Sequence, residues 1–252
     1  MTDATDPETQ PVPAVDQPGV RTECETSGLG KAYLLERGLS LETAYANGVE
    51  IDVAPNRLTI KQRLGVGCPA IWEYAKEIVW FPFYDAEGTT VSWSARPLPS
   101  QERLKFVTPK GGTGPPYIPR MVYDKRAKGS LIITEGPVKT LVLFQAGFCA
   151  LGLNGVWGAH EKAHDGLLIL RKELLELGIR GRKVYLAFDV DTASNPDVRH
   201  AEIRLFFLLR AAGAEIYQLT SITLLSIFLL SGTIFRNILG RGVERPIVAA
   251  EH

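Results

Sequence analysis

The sequence predicts an α/β fold, a parallel sheet flanked by helices behind a smaller, mixed N-terminal subdomain. From Ser130 to Leu219, short apolar runs alternate with helical patterns, as in strand–helix–strand units with right-handed crossovers. Upstream, two strand-like runs flank a turn at Asp85–Gly88, the pattern of a hairpin. The 252 residues are 45% hydrophobic and 22% charged, which is ordinary globular composition and enough chain to bury a core without staples.

The elements follow in order. Residues 1–28 are rich in Thr, Asp, Pro, Gln and Glu and have too few large apolar side chains to offset chain entropy, so a disordered tail is expected. Ala32 to Leu39 has helical spacing broken by Gly38. Ser40 is placed to cap a helix over Leu41–Asn47 that Gly48 stops. A short helix is expected around Pro69–Glu77. Ile78–Tyr84 and Thr89–Ala95 are the hairpin strands, and a basic loop runs from Arg96 to Tyr117.

In the regular half, Leu131–Thr134 is a buried strand. Gly136-Pro137 opens a helix and Gly147 closes it, Pro at the start and Gly past the end being the expected asymmetry. Phe148–Leu153 is the second strand. Asp165 is placed to cap a helix through Leu167, Leu170, Leu174 and Leu177, closed by Gly178. Lys183–Phe188 is the third strand, Asn195-Pro196 to Gly213 a helix, and Ala214–Leu219 the fourth strand. The units are then a tail (1–28), an N-terminal subdomain (29–128), the parallel-sheet domain (129–220) and an atypical apolar tail (221–252). Ile222–Leu230 falls short of the roughly 20 residues that a membrane span needs, so no membrane partner is expected.

Charge narrows the partners. The 28 basic and 28 acidic residues balance, so any nucleic-acid binding must come from a local patch. The three cysteines, Cys24, Cys68 and Cys149, are too scattered for a disulfide framework or a zinc ribbon. The N-terminus has no secretory pattern, which favours the cytoplasm.

Three carboxylates stand out by position. Glu135 ends the first regular strand, and Asp189 and Asp191 follow the third. Ligands of open α/β sheets bind outside the carboxyl ends of the strands. If the first and third strands are neighbours, the three acids converge and repel one another unless a cation lies between them. Hard oxygen ligands suit magnesium or manganese, and such sites perform phosphoryl or nucleotidyl transfer. The alternative from spacing alone is three solvated acids at loop starts.

Leu131-Ile-Ile-Thr-Glu-Gly136 followed by Ala187-Phe-Asp-Val-Asp191 resembles the TOPRIM domain shared by DnaG-type primases, topoisomerases and some nucleases. Val79 to Gly88, Val91 to Arg96 and Leu104 to Pro109 resemble the stretch that precedes TOPRIM in bacterial-type primases. So does the helical segment from Tyr33 to Ser40. The likeness covers roughly 33–220 and is nearest to TOPRIM-containing, primase-like proteins of plasmids and phages, some described as domains of unknown function. It implies that Glu135, Asp189 and Asp191 are catalytic and bind Mg2+ or Mn2+. Arg96, Lys105 and Lys110 match positions facing template or incoming nucleotide, and Lys139, one turn into the first helix, is placed to touch a phosphate. The implied activity is DNA primase-type nucleotidyl transfer in replication of a mobile element. Its partners would be single-stranded DNA template, nucleotides and a replicative helicase. A TOPRIM nuclease and a non-catalytic nucleic-acid adaptor are the alternatives. The chain carries no Lys-Gly-x-Asp-Asp run after the fourth strand.

One motif points elsewhere. His160-Glu-Lys-Ala-His164 spells H-E-x-x-H, which binds zinc only within a sustained helix and with a third ligand. Glycines at 155, 158 and 166 disfavour that helix, so a loop without zinc is expected.

Overall fold

In the computed structural model, the described residues are 28–101, 104–110, 114–120, 122, 129–155, 157–188, 196–219 and 245–246. The expected disordered tail and the apolar run Ile222–Leu230 lie outside them. Helices α1 (Leu29–Glu36) and α2 (Leu41–Ala46) come first. Ser40 caps α2 as the sequence predicts, its hydroxyl accepting from the Thr43 amide at 3.1 Å. The start of α1 is held from afar. The buried Glu77 carboxylate accepts from the amides of Gly30 at 2.7 Å and Leu29 at 3.3 Å. A carboxylate there satisfies unpaired donors and complements the helix dipole.

Strands β1 (Glu50–Asp52), β2 (Glu77–Tyr84) and β3 (Thr90–Leu98) form an antiparallel sheet in the order β1-β2-β3. Every residue of β2 is buried, because both faces of the sheet are covered. Val79, Phe81 and Phe83 pack against α1 and α2, whereas Ile78 and Trp80 pack on Ile60, Leu64 and Ile71. Ile60 and Leu64 belong to α3 (Arg57–Leu64), which the sequence reading does not anticipate. Only these two residues of α3 are buried, one turn apart, so its apolar stripe is too short to read against five polar neighbours. The helix expected around Pro69–Glu77 is a single 3-10 turn at Ile71–Glu73. Glu77 instead opens β2 and caps α1.

The second sheet has the order β10-β9-β8-β4-β5. Strands β4 (Leu131–Glu135), β5 (Cys149–Leu153), β8 (Lys183–Ala187) and β9 (Glu215–Gln218) run parallel, and β10 (Arg245–Pro246) pairs antiparallel at the edge. The first and third strands of the regular half are therefore neighbours, as convergence of the acids requires. Alternate residues face opposite ways. Leu131, Ile133, Val184 and Leu186 enter one core, and Ile132, Tyr185 and Ala187 enter another.

Helix α4 (Gly136–Gln145) lies between the two sheets: Leu143 packs with Ile132 and Tyr185, while Val138, Leu141 and Val142 pack with Phe81, Phe83 and Tyr33. Helices α5 (Lys172–Glu176) and α6 (Pro196–Ala211) cover the opposite face through Leu174, Leu205 and Leu209.

The long helix expected from Asp165 to Gly178 is broken. Strands β6 (His160–Lys162) and β7 (Leu168–Leu170) form a hairpin, and only α5 is helical. Gly166 turns the chain with φ of 82°, and the Asp165 carboxylate accepts from the Leu167 amide at 3.0 Å. Asp165 thus caps a turn rather than a helix. Leu170 and Leu174 are buried as their spacing implies, but Leu167 is 65% exposed.

The linker between the sheets is pinned on β5. Tyr117 and Gly152 exchange two backbone hydrogen bonds, at 2.6 and 2.8 Å, and the Tyr117 ring packs edge-on to Phe83 of β2 at 5.3 Å. A Cβ at Gly152 would lie 2.4 Å from Thr140 Oγ1 and 2.5 Å from the Gly136 carbonyl oxygen. We expect Gly152→Ala to destabilise the fold by about 3 kcal/mol, the upper range for forcing atoms into a packed site. Chemical denaturation would read this as a lower midpoint; an unchanged midpoint would show that the corner yields freely.

Candidate functional site

Glu135 is the last residue of β4, half-buried, at the carboxyl end of a strand flanked on both sides by parallel neighbours. The chain turns directly into α4 through Gly136, whose φ of 68° disfavours a side chain. Thr140 Oγ1 donates to the Gly136 carbonyl at 2.8 Å and closes that corner. Lys139 is half-buried one turn into α4, as the sequence places it.

Parallel pairing between β4 and β8 ends at Thr134 opposite Ala187. There the buried Thr134 hydroxyl donates to the Ala187 carbonyl at 2.9 Å, extending the tie beyond the backbone ladder. Phe188 follows in the core, and Asp189 and Asp191 lie outside the described residues. The described part of the site is thus Glu135 with the exit of β8 beside it.

Glu202 is a carboxylate the sequence reading does not pick out. It is half-buried in the second turn of α6 and accepts from Gln218 Nε2 of β9 at 2.9 Å. Burial pushes its pKa up, and the charge of Glu135 adds to the rise; the Gln218 hydrogen bond and Arg199 oppose it. No sequence motif marks Glu202, because only the packing of α6 against the sheet brings it near Glu135. Among the described residues, no group of three His, Cys, Asp or Glu side chains is placed to hold a metal ion.

The four basic residues named from the sequence have different settings. Arg96 is buried. Its guanidinium donates to the Lys105 carbonyl at 2.9 Å and to Ser100 Oγ at 3.2 Å, and it stacks over Tyr33 and Phe106. Burial holds the Arg96 pKa below its usual value, and the nearby Arg37 works in the same direction. Arg96 therefore braces α1, β3 and the following loop. Lys105 and Lys110 are exposed, and the stem of Lys110 packs on Gly67. His160 lies in β6 opposite Leu170, so H-E-x-x-H is a strand and turn without the one-turn spacing that two zinc ligands need.

Residues 121–223 match the family model described as "Domain of unknown function (DUF3854)". No curated protein matches the chain. Solved structures do. The zinc-binding and RNA polymerase domains of Aquifex aeolicus primase align with 16% identity and a TM-score of 0.57, over 85% of this chain and 56% of that one. The RNA polymerase domain of Mycobacterium tuberculosis primase DnaG aligns with 13% identity and a TM-score of 0.59, over 89% and 78%. A DnaG primase catalytic domain bound to single-stranded DNA aligns with 16% identity and a TM-score of 0.53, over 78% and 66%. The chain thus spans little more than half the length of the Aquifex protein. At these identities the likeness establishes the fold, a helix-flanked parallel sheet with a smaller mixed N-terminal part, as in primase catalytic cores.

The raised pKa of Glu202 has a signed consequence. Its folded pKa exceeds the unfolded one, so the folded state bears a burial penalty once the group ionises. That penalty is present above the folded pKa and gone below the unfolded one. We expect Glu202→Gln to raise the melting temperature at pH 7, with the gain closing as pH falls to about 4, near the ordinary glutamate value. Thermal melts across that range test it; a gain independent of pH would exclude ionisation as the cause.

Proposed function

We propose that the chain is a primase-like, divalent-metal-dependent nucleotidyltransferase acting in DNA replication of a mobile element. The observation that carries this reading is Glu135 at the carboxyl end of β4, beside the strand from which Asp189 and Asp191 follow. Glu135, Asp189 and Asp191 would hold magnesium or manganese. Such an ion would offset triphosphate charge as a 3′-hydroxyl attacks the α-phosphate and pyrophosphate leaves. Lys139 would contact a nucleotide phosphate, and Lys105 and Lys110 the template backbone. Buried Arg96 would act through the Lys105 loop that it holds.

The fold likeness to a primase domain that carries single-stranded DNA supports a template strand as ligand. A second likeness, to the M. tuberculosis domain with a double-stranded oligomer bearing a 6-nucleotide overhang, supports the same class. Contacts from a few Lys and Arg side chains give modest affinity that falls as salt rises. A replicative helicase would raise priming by concentrating template near the site.

Asp189→Ala should abolish primer synthesis and weaken manganese binding while sparing most affinity for single-stranded DNA. The measurements are manganese titration calorimetry and extension of labelled ribonucleotides on a single-stranded template with magnesium. Template cleavage in place of extension would replace the synthetic reading with the nuclease one. Unchanged synthesis in Asp189→Ala would remove the site altogether.

A further inference from the structure

The hairpin β6–β7 carries a cluster for which the reading above has no use. The loop that leaves the carboxyl end of β5 brings Trp157 beside His160, their rings edge-on at 5.8 Å. From α6, the guanidinium of Arg204 lies 5.4 Å from the Trp157 ring centroid. Arg171, between β7 and α5, also lies close enough to influence His160, and it bonds to Glu173 at 3.4 Å. Burial lowers the His160 pKa, and the charges of Arg204 and Arg171 lower it further. Among the described residues, no carboxylate pairs with Arg204, and its side chain is exposed. Two residues before it, Glu202 feels the charge of Glu135, so α6 runs from this cluster toward the end of β4 that carries Glu135.

A guanidinium lying against an indole keeps its N–H edges free and its plane fixed. That is a preorganised fork for a phosphate. Arg171 is answered by Glu173, whereas the charge of Arg204 has no carboxylate partner among the described residues and favours an arriving anion. We propose that Arg204, held by Trp157 and flanked by His160, binds a phosphodiester of a single nucleic-acid strand beside the carboxyl end of β5. This deepens the proposed function, on which it rests, and adds a contact apart from Arg96, Lys105, Lys110 and Lys139.

Binding of a fluorescein-labelled single-stranded oligonucleotide to the full chain, followed by anisotropy over a range of salt with EDTA present, tests this without metal or synthesis. Arg204→Ala should weaken binding and reduce the slope of log affinity against log salt by about one unit, the effect of one lost phosphate contact. Arg204→Lys should restore the slope but not the full affinity, because an ammonium has no planar fork. Arg210→Ala, exposed later on the same helix, should leave both unchanged. His160→Gln should weaken binding at acidic pH, where the lowered histidine pKa is passed, and match the wild type at alkaline pH, where neither side chain carries charge. A wild-type slope in Arg204→Ala, an equal loss in Arg210→Ala, or no wild-type binding at low salt would overturn the inference. Displacement by comparable concentrations of inorganic phosphate would assign the cluster to free phosphate and overturn it too. Failure of the metal-dependent reading shows instead as absent manganese binding and primer synthesis, with these slopes still readable.

Discussion

The close approach of three backbone segments at Gly152 holds the two halves of the protein together. On its open edge, β5 pairs with Tyr117, whose ring reaches Phe83 in the N-terminal sheet. On the same residue's other flank lie Thr140 and the Gly136 carbonyl, the first turn of α4. Gly136 directly follows Glu135. One missing side chain thus lets the linker, the central helix and the corner of the site meet. Because α4 packs on both sheets, the position of Glu135 depends on the N-terminal core as well as on its own strand.

Buried charge is distributed along the same lines. Glu77 is almost fully buried, yet it accepts from two amides at the start of α1, far away in the chain. Arg96 and Arg182 are also buried, and their guanidinium groups donate to backbone carbonyls. Arg182 joins the carbonyls of Gly129 and Leu177 at the amino ends of the strands, opposite the end that carries Glu135. Buried ions of this kind persist only where hydrogen bonds replace lost water. They fix how segments meet, whereas Lys105, Lys110 and Arg204 stay exposed at the surface.

The hairpin β6–β7 changes the character of the surface beside the site. A helix there would have buried Leu167 and turned its polar face to water. The hairpin leaves Leu167 exposed, packs on α6 and sets Trp157 and His160 next to Arg204. The H-E-x-x-H letters therefore find their physical context in an aromatic–cation cluster. A proposed template strand near Glu135 would have this cluster within the same end of the sheet.

The sequence by itself determined the alternation of strands and helices, the hairpin β2–β3, the Ser40 cap and the location of Glu135 at a strand end. Each of these is local: period-two apolar runs, glycine stops and short capping distances act over a few residues. Only the tertiary structure decided the rest. It placed β8 beside β4, moved Glu77 from an expected helix to the cap of α1, and brought Glu202 near Glu135. It also split the leucine pattern from Leu167 to Leu177 into a strand and a short helix, because Gly166 favours a turn and β6 offers Leu168–Leu170 a pairing partner. Leucines spaced three and four residues apart are compatible with either outcome over so short a stretch. Contacts between segments distant in sequence choose between them, and no local pattern carries that information.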